Sequence, residues 1–268
     1  MKAVILAAGQ GTRLLPLTSD RPKCLVEIGD GISIIEQQLL AIDRAGQMDG
    51  VLLVLGYRAA MVEAKLSSLH LRTAVEVVYN PFFDESNALV SLWLAMQRRP
   101  TDFVVINGDV VFSPRCLQTL AAATDQESVL LLASRKAAFG VDAVKVVAFG
   151  NRLRRIGKEL AVDETTGESA GLVRFRGDGA TAAILTIERM LRQRESRNGF
   201  WYTLLGRMID DRFPIHVREC SPDDWFEVDY HGDLEEVRSH VLPAGSLVQA
   251  WGLDRHGLAP ALRDSRSS

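Results

Sequence analysis

The chain has 268 residues, 47% of them hydrophobic and 24% charged, with a formal net charge of −3. That length and apolar content allow one large α/β domain, or one domain with an inserted lobe. The slight negative charge excludes the basic footprint of a dedicated nucleic-acid binder but leaves room for a local cationic pocket.

Lys2 to Ala7 is a short apolar run that meets Gly9-Gln10-Gly11, the pattern of a buried strand opening into a glycine-rich loop. Helical spacing over Ile34 to Ala45 predicts a helix, with Gly46 as its stop. Val51 to Leu55 is a second buried strand closed by Gly56. A helix over Ala59 to Leu69 and a strand over Ala74 to Tyr79 follow, and Asn80-Pro81 ends the strand. Ala88 to Gln97 reads as a helix. Asp102 to Ile106 is a third apolar strand running into Asn107-Gly108-Asp109. Arg115 to Thr124 is a helix and Ser128 to Ser134 a strand. This alternation predicts a parallel sheet covered on both faces, whose ligands bind at the carboxyl ends of its strands. Gly9–Gly11 and Asn107–Asp109 both fall at such ends.

The second half changes character. Short strands at Val144 to Phe149, Leu153 to Ile156 and Ala170 to Arg176 suggest an antiparallel lobe. Helices are expected at Thr181 to Arg194 and Trp201 to Asp211, strands at Ile215 to Glu219 and Phe226 to Val228, and a last helix at Asp233 to Val241. The expected organisation is a single domain over 1–241 with an acceptor-side lobe at about 142–225. Residues 242–268 would form a tail, partly ordered at best.

Chemistry concentrates in Leu6-Ala7-Ala8-Gly9-Gln10-Gly11-Thr12-Arg13-Leu14, followed by Pro22-Lys23. Small residues let backbone N–H groups approach phosphate oxygens. Arg13 and Lys23 add the full charges that a triphosphate needs in binding and as pyrophosphate leaves. The segment lacks the G-x-x-x-x-G-K-[ST] of a P-loop. Leu14 also stands where a dinucleotide fingerprint needs its third glycine.

Together with Pro22-Lys23, this segment resembles the signature of the sugar-phosphate nucleotidyltransferases. Gly56-Tyr57, Tyr79-Asn80-Pro81, Ser86-Asn87, Ser91-Leu92-Trp93, Asn107-Gly108-Asp109 and Glu227-Val228-Asp229 fall in that family's order. The details are nearest to short bacterial CTP:phosphocholine cytidylyltransferases and to cytidylyltransferases that activate small phosphonates. The resemblance implies a Rossmann-like, mainly parallel mixed sheet with helices on both faces and a small antiparallel acceptor-side lobe. It implies transfer of CMP from CTP to phosphocholine or a small phosphonate, with release of pyrophosphate. The expected partners are CTP and a phosphate- or phosphonate-bearing acceptor; no nucleic acid and no membrane are expected, and a homodimer is compatible with the family. UTP or dTTP with a sugar 1-phosphate is the nearest alternative, and a non-catalytic nucleotide sensor is the alternative of another class.

By the same resemblance, Asp109 and Asp229 would hold Mg²⁺; each also fits a simple turn cap. Leu6 to Arg13, Lys23, Tyr79, Asn80, Ser86, Asn87 and Gly108 would bind the nucleotide. Arg13, Lys23, Asp109 and Asp229 would carry catalysis. The acceptor candidates are Lys145, Lys158, Glu168, Trp201, Tyr202 and Trp225. The lysines fit solvent-facing strand ends equally well, and the aromatics fit core or rim positions. Gly167 to Gly171 formally matches the G-x-S-x-G nucleophile elbow, but a strand after it, where an elbow needs a helix, argues against Ser169 as a nucleophile. Cys24, Cys116 and Cys220 are odd in number and widely spaced, so reduced thiols in a cytoplasmic protein are expected. The five histidines, His256 included, show no metal-ligand spacing.

Overall fold

The computed structural model describes residues 1–29, 31–124, 126–136 and 138–241, together with Trp251. The first half contains β1 (Lys2–Ala7), β2 (Glu27–Gly29), β3 (Ile32–Ser33), α1 (Ile34–Ala45), β4 (Gly50–Leu55), α2 (Ala59–Leu66), β5 (Val75–Tyr79) and α3 (Ala88–Met96). Next come β6 (Phe103–Asn107), β7 (Val110–Phe112), α4 (Pro114–Ala121) and β8 (Val129–Ser134). The remainder forms β9 (Lys145–Phe149), β10 (Arg152–Gly157), β11 (Gly167–Phe175), α5 (Asp178–Leu191), α6 (Thr203–Asp210), β12 (His216–Glu219), β13 (Trp225–Glu227) and α7 (His231–Val241).

Nine strands form one mixed sheet in the order β5-β4-β1-β6-β11-β8-β12-β10-β9. The first four are parallel, as the strand–helix alternation requires. β11 runs antiparallel between β6 and β8, while β12 is parallel to β8. The hairpin β9–β10 continues this sheet, and the start of β11 pairs back onto β9 at Gly167↔Val146 and Glu168↔Lys145. β8 and four strands of the second half therefore close on themselves within the same sheet. Ser169 lies inside β11, preceded by a turn, so the nucleophile-elbow geometry is absent there.

Alternate residues of each central strand enter opposite layers. Ala3, Ile5 and Ala7 of β1 join a cluster with Ile35 and Leu39 of α1 and Leu117 and Leu120 of α4. Val4 joins Leu89 and Leu92 of α3, Ala183 and Ile187 of α5, and Leu204 of α6. Burial on both faces is why these strands read as unbroken apolar runs. Helix α1 begins with a Ser33–Glu36 capping box and ends at Gly46, where φ is +66°.

The strand expected at Phe226 to Val228, just ahead of Asp229, is β13, and it pairs antiparallel with β7 in a separate two-stranded ribbon rather than in the main sheet. The tail expected over 242–268, Trp251 apart, lies outside the described residues. Among the described residues no helix is long and apolar enough to cross a membrane.

Candidate active site

A cavity of about 300 Å³ opens at the carboxyl ends of β1 and β6. One wall is the glycine-rich loop, from which Leu6, Ala7, Ala8, Gly9, Gly11, Thr12 and Arg13 face it, with Lys23 beside them. Asn80, Ser86, Asn87 and Gly108 also line it, as do Asp109 and Asp229. Two glycines are sterically required. A Cβ on Gly108 would lie 2.2 Å from the Leu6 carbonyl oxygen, so only glycine lets the ends of β6 and β1 come this close. Gly11 has φ +74°, and its Cα packs on the stem of Lys23, whose Cβ would stand 2.5 Å from an added methyl.

Two acids 120 positions apart meet because of the β7–β13 ribbon. Its register pairs Trp225 with Phe112 and Glu227 with Val110, and the Val228 N–H donates to the Asp109 carbonyl at 2.9 Å. A third apolar cluster then fixes the ribbon against the loop. Leu14 and Val26, close neighbours of Arg13 and Lys23, pack with Val111 and Val228, close neighbours of Asp109 and Asp229. Fully burying one such side chain contributes roughly 1.5–3 kcal/mol. Gln38 of α1 adds a polar clamp: its Nε2 donates to the carbonyls of Asn107 at 2.7 Å and Val110 at 2.6 Å, spanning the turn that presents Asp109.

The acids form a threesome rather than a pair. Oxygens of Asp109, Glu227 and Asp229 lie within 4.8 Å of one another, the one group of three such ligands among the described residues. Glu227 was quoted in the sequence motif but not assigned as a ligand. Glu227 is the last residue of β13, and Asp229 stands two positions beyond it, where the two carboxylates meet. Lys23 Nζ stands between two of the acids, 2.9 Å from Asp109 Oδ2 and 2.5 Å from Asp229 Oδ1. Arg13 reaches Asp229 Oδ2 at 2.8 Å and Asp142 Oδ2 at 2.9 Å. Burial opposes the charge of Lys23, but Asp109 and Asp229 outweigh it and raise the lysine pKa. Burial, reinforced by the charges of Asp109 and Asp229, holds the Glu227 carboxyl well above the usual carboxylate range. Three hard oxygen donors of this kind suit a divalent cation such as Mg²⁺.

The candidates for acceptor contact divide. Lys158, Trp201 and Tyr202 line the cavity, joined by Val144 and Phe200. Trp201 is anchored through its Nε1, which donates to Asn107 Oδ1 at 2.6 Å. The other three do not line it. Trp225 is buried in the core and donates from Nε1 to Ser134 at 3.0 Å. Lys145 is buried with its ammonium donating to the Lys158 carbonyl. Glu168 is buried beside Lys136 at 3.2 Å, and burial, against the pull of that lysine, raises its pKa. On the nucleotide side, Gln10 is exposed away from the cavity, and the half-exposed Tyr79 donates its hydroxyl to Glu63. Ser91, quoted in the sequence motif but given no role, accepts from the Asn80 amide at 3.0 Å and lines the cavity, while Asp142 carried no signal in the sequence.

A glycine-rich loop, two cations and three converging acids at the edge of an α/β sheet define a nucleotide-phosphate site of the group-transfer class. The chain belongs to the nucleotidyl transferase family, whose sequence model matches residues 2–146. It is 25% identical over 254 residues to a CTP:phosphoglutamine cytidylyltransferase of Campylobacter jejuni, covering 88% of this chain and 98% of that one. It is 34% identical over 251 residues to a CMP-5'-(3-aminopropyl)phosphonate synthase of Streptomyces rubellomurinus, covering 91% of this chain but only 39% of that longer protein. The fold matches a CTP:phosphocholine cytidylyltransferase of Streptococcus pneumoniae with a TM-score of 0.73 at 21% identity, over 89% of this chain and 97% of that one.

Proposed function

We propose that the chain transfers CMP from CTP to a small phosphate- or phosphonate-bearing acceptor and releases pyrophosphate. The observation that carries this reading is the convergence of Asp109, Glu227 and Asp229 beside the cationic loop of Arg13 and Lys23. Cytidylyl transfer is the activity named for relatives aligned over most of this chain.

An ionised phosphate or phosphonate oxygen is already a nucleophile, so no general base is needed. A bond forms between that oxygen and the α-phosphorus of CTP as the bond from the α-phosphorus to the pyrophosphate oxygen breaks. Arg13 and Lys23 exchange their carboxylate partners for the triphosphate and offset charge as pyrophosphate departs. Asp109, Glu227 and Asp229 would hold Mg²⁺, which would supply charge neutralisation at the reacting phosphates. Asn80, Ser86 and Asn87 face the nucleoside, while Val144, Phe200 and Tyr202 face the acceptor.

The test is pyrophosphate release with Mg²⁺ across CTP, UTP and dTTP, each with phosphocholine, aminoethylphosphonate, an anionic phosphonate and glucose 1-phosphate. CTP with a phosphate or phosphonate acceptor should give the highest kcat/KM. Preference for UTP or dTTP with the sugar phosphate would replace the reading, and tight CTP binding without turnover would reduce the chain to a sensor.

A further inference from the structure

Cys116 and Cys220 are far apart in the chain, and the fold brings them together at the base of the β7–β13 ribbon. Cys116 is the third residue of α4, the helix that follows β7 through Ser113. Its thiol donates to the Asp224 carbonyl at 3.5 Å. Cys220 directly follows β12 and is held to β8. Its N–H donates to the Ala133 carbonyl at 2.9 Å, and its thiol reaches the same oxygen at 3.7 Å. The segment from Cys220 to Asp224 folds back on itself, with the Asp224 N–H on the Ser221 carbonyl at 3.1 Å. The thiols sit at the two ends of this short turn, and Cys116 is in hydrogen-bonding contact with Cys220.

The two sulfurs differ in access. Cys116 is 1% exposed, whereas Cys220 is half-buried. Contact with Cys220, together with burial, raises the Cys116 thiol above the ordinary cysteine range. Cys220 is thus the sulfur that meets a reagent from solvent, and Cys116 stands behind it. That is the arrangement of an attacking and a resolving thiol. In the first step the Cys220 thiol attacks a hydroperoxide. An S–O bond forms as the O–O bond breaks, leaving a sulfenic acid and an alcohol, or water where the oxidant is hydrogen peroxide. In the second step the Cys116 sulfur displaces the sulfenic oxygen. The S–S bond forms, and the Cys116 proton leaves with the hydroxyl as water. The electron pair that the two thiols lose reduces the peroxide.

We propose that Cys116 and Cys220 are a modification site at which a hydroperoxide forms an intramolecular disulfide that braces the ribbon carrying Asp109 and Asp229. The bond joins the segment after β7 to the segment before β13. It lies beyond the Trp225–Phe112 end of the ribbon, while the acids stand at the Glu227–Val110 end. Ser113 keeps both of its bonds to Asp224, from N–H to the carbonyl at 2.8 Å and from the hydroxyl to Oδ1 at 2.7 Å. The ribbon register therefore survives when Cys116 gives up its own bond to that carbonyl. The cross-link closes a loop of about 100 residues, long enough to restrict the unfolded chain strongly.

The test treats the full chain with hydrogen peroxide, quenches with catalase, and alkylates under denaturing conditions before peptide mass spectrometry. The expected product is a linked pair of peptides containing Cys116 and Cys220, lighter than their sum by two hydrogens. The melting temperature should rise by roughly 5 °C or more above that of the reduced protein and return with dithiothreitol. In Cys116→Ala, peroxide should leave Cys220 as a sulfenic acid that dimedone captures. Oxygen added to Cys220 of the native protein without a link would overturn the proposal. So would a link that involves Cys24 or a second chain, failure of peroxide to modify either thiol, or a melting temperature that stays level or falls on oxidation. Cys220→Ala, at the half-exposed position, decides the matter even where Cys116→Ala does not fold. Peroxide should leave its melting temperature unmoved, and a rise as large as the native one would show that the brace lies elsewhere.

Discussion

Lys23 Nζ lies 2.5 Å from Asp229 Oδ1, although 206 positions of chain separate the two residues. The same ammonium lies 2.9 Å from Asp109 Oδ2. One lysine therefore neutralises two carboxylates that would otherwise repel each other. Lys23→Met keeps an apolar stem and removes the charge. Breaking such a pair costs about 3–5 kcal/mol. A divalent cation can replace the missing charge, so the variant should melt several degrees lower than the native protein in EDTA and recover most of the difference in millimolar MgCl₂. Thermal melts in the two conditions check this. A deficit of equal size in both would mean that the acids do not take up the ion.

Loss of a single metal-site carboxylate should act on chemistry more than on folding. Asp109→Asn and Glu227→Gln should each lower kcat for pyrophosphate release by about 10²–10³-fold. Melting temperatures should change by only a few degrees, because the β7–β13 ribbon keeps its apolar pairs. Mn²⁺ binding followed by electron paramagnetic resonance should weaken in both variants. Unchanged Mn²⁺ affinity in Glu227→Gln would restrict the ligand set to the two aspartates.

Gln38 should matter more to turnover than its neighbour does. Its amide nitrogen bonds both carbonyls flanking the Asp109 turn, whereas Gln37 bonds the backbone of Phe112, three positions further on. Each buried carbonyl left without a donor costs roughly 1–3 kcal/mol. Gln38→Leu and Gln37→Leu should thus lose comparable stability in urea titrations. Only Gln38→Leu should show a fall in kcat of about tenfold or more, with KM for CTP near the native value. Parallel kcat losses in both variants would reduce Gln38 to a packing role.

Glu168 yields a pH-dependent expectation. Burial outweighs the attraction of Lys136 and raises its carboxyl pKa in the folded protein. The folded state then binds more protons than the unfolded chain, so stability falls as pH rises from the unfolded value of about 4.3 through the raised folded value. Below that window both states are protonated, and the residue behaves as its neutral amide. Glu168→Gln should match the native Tm near pH 4 and exceed it by a growing margin as the pH increases. A melting series from about pH 4 to 8 tests the sign, and a margin that shrinks with pH would mean that Lys136 dominates.

Much of the architecture was readable from residue order, because it rests on local rules. The apolar runs at Lys2–Ala7, Val51–Leu55 and Asp102–Ile106 needed only two-sided burial to be strands, and Gly46 marked the end of α1. The glycine-rich loop was equally legible, since its small residues and its cations are contiguous or nearly so. Tertiary structure alone decided what those cations face. The β7–β13 register brings Glu227 in beside the two aspartates, and the third apolar cluster presses the loop against that ribbon. Trp225, Lys145 and Glu168 had suitable chemistry for the acceptor, but burial turned their polar atoms onto protein partners. Composition and spacing report what a side chain can bond. Which partner it meets depends on contacts between segments more than 80 positions apart, as between Lys23 and Asp109, and local periodicity carries no information about those distances.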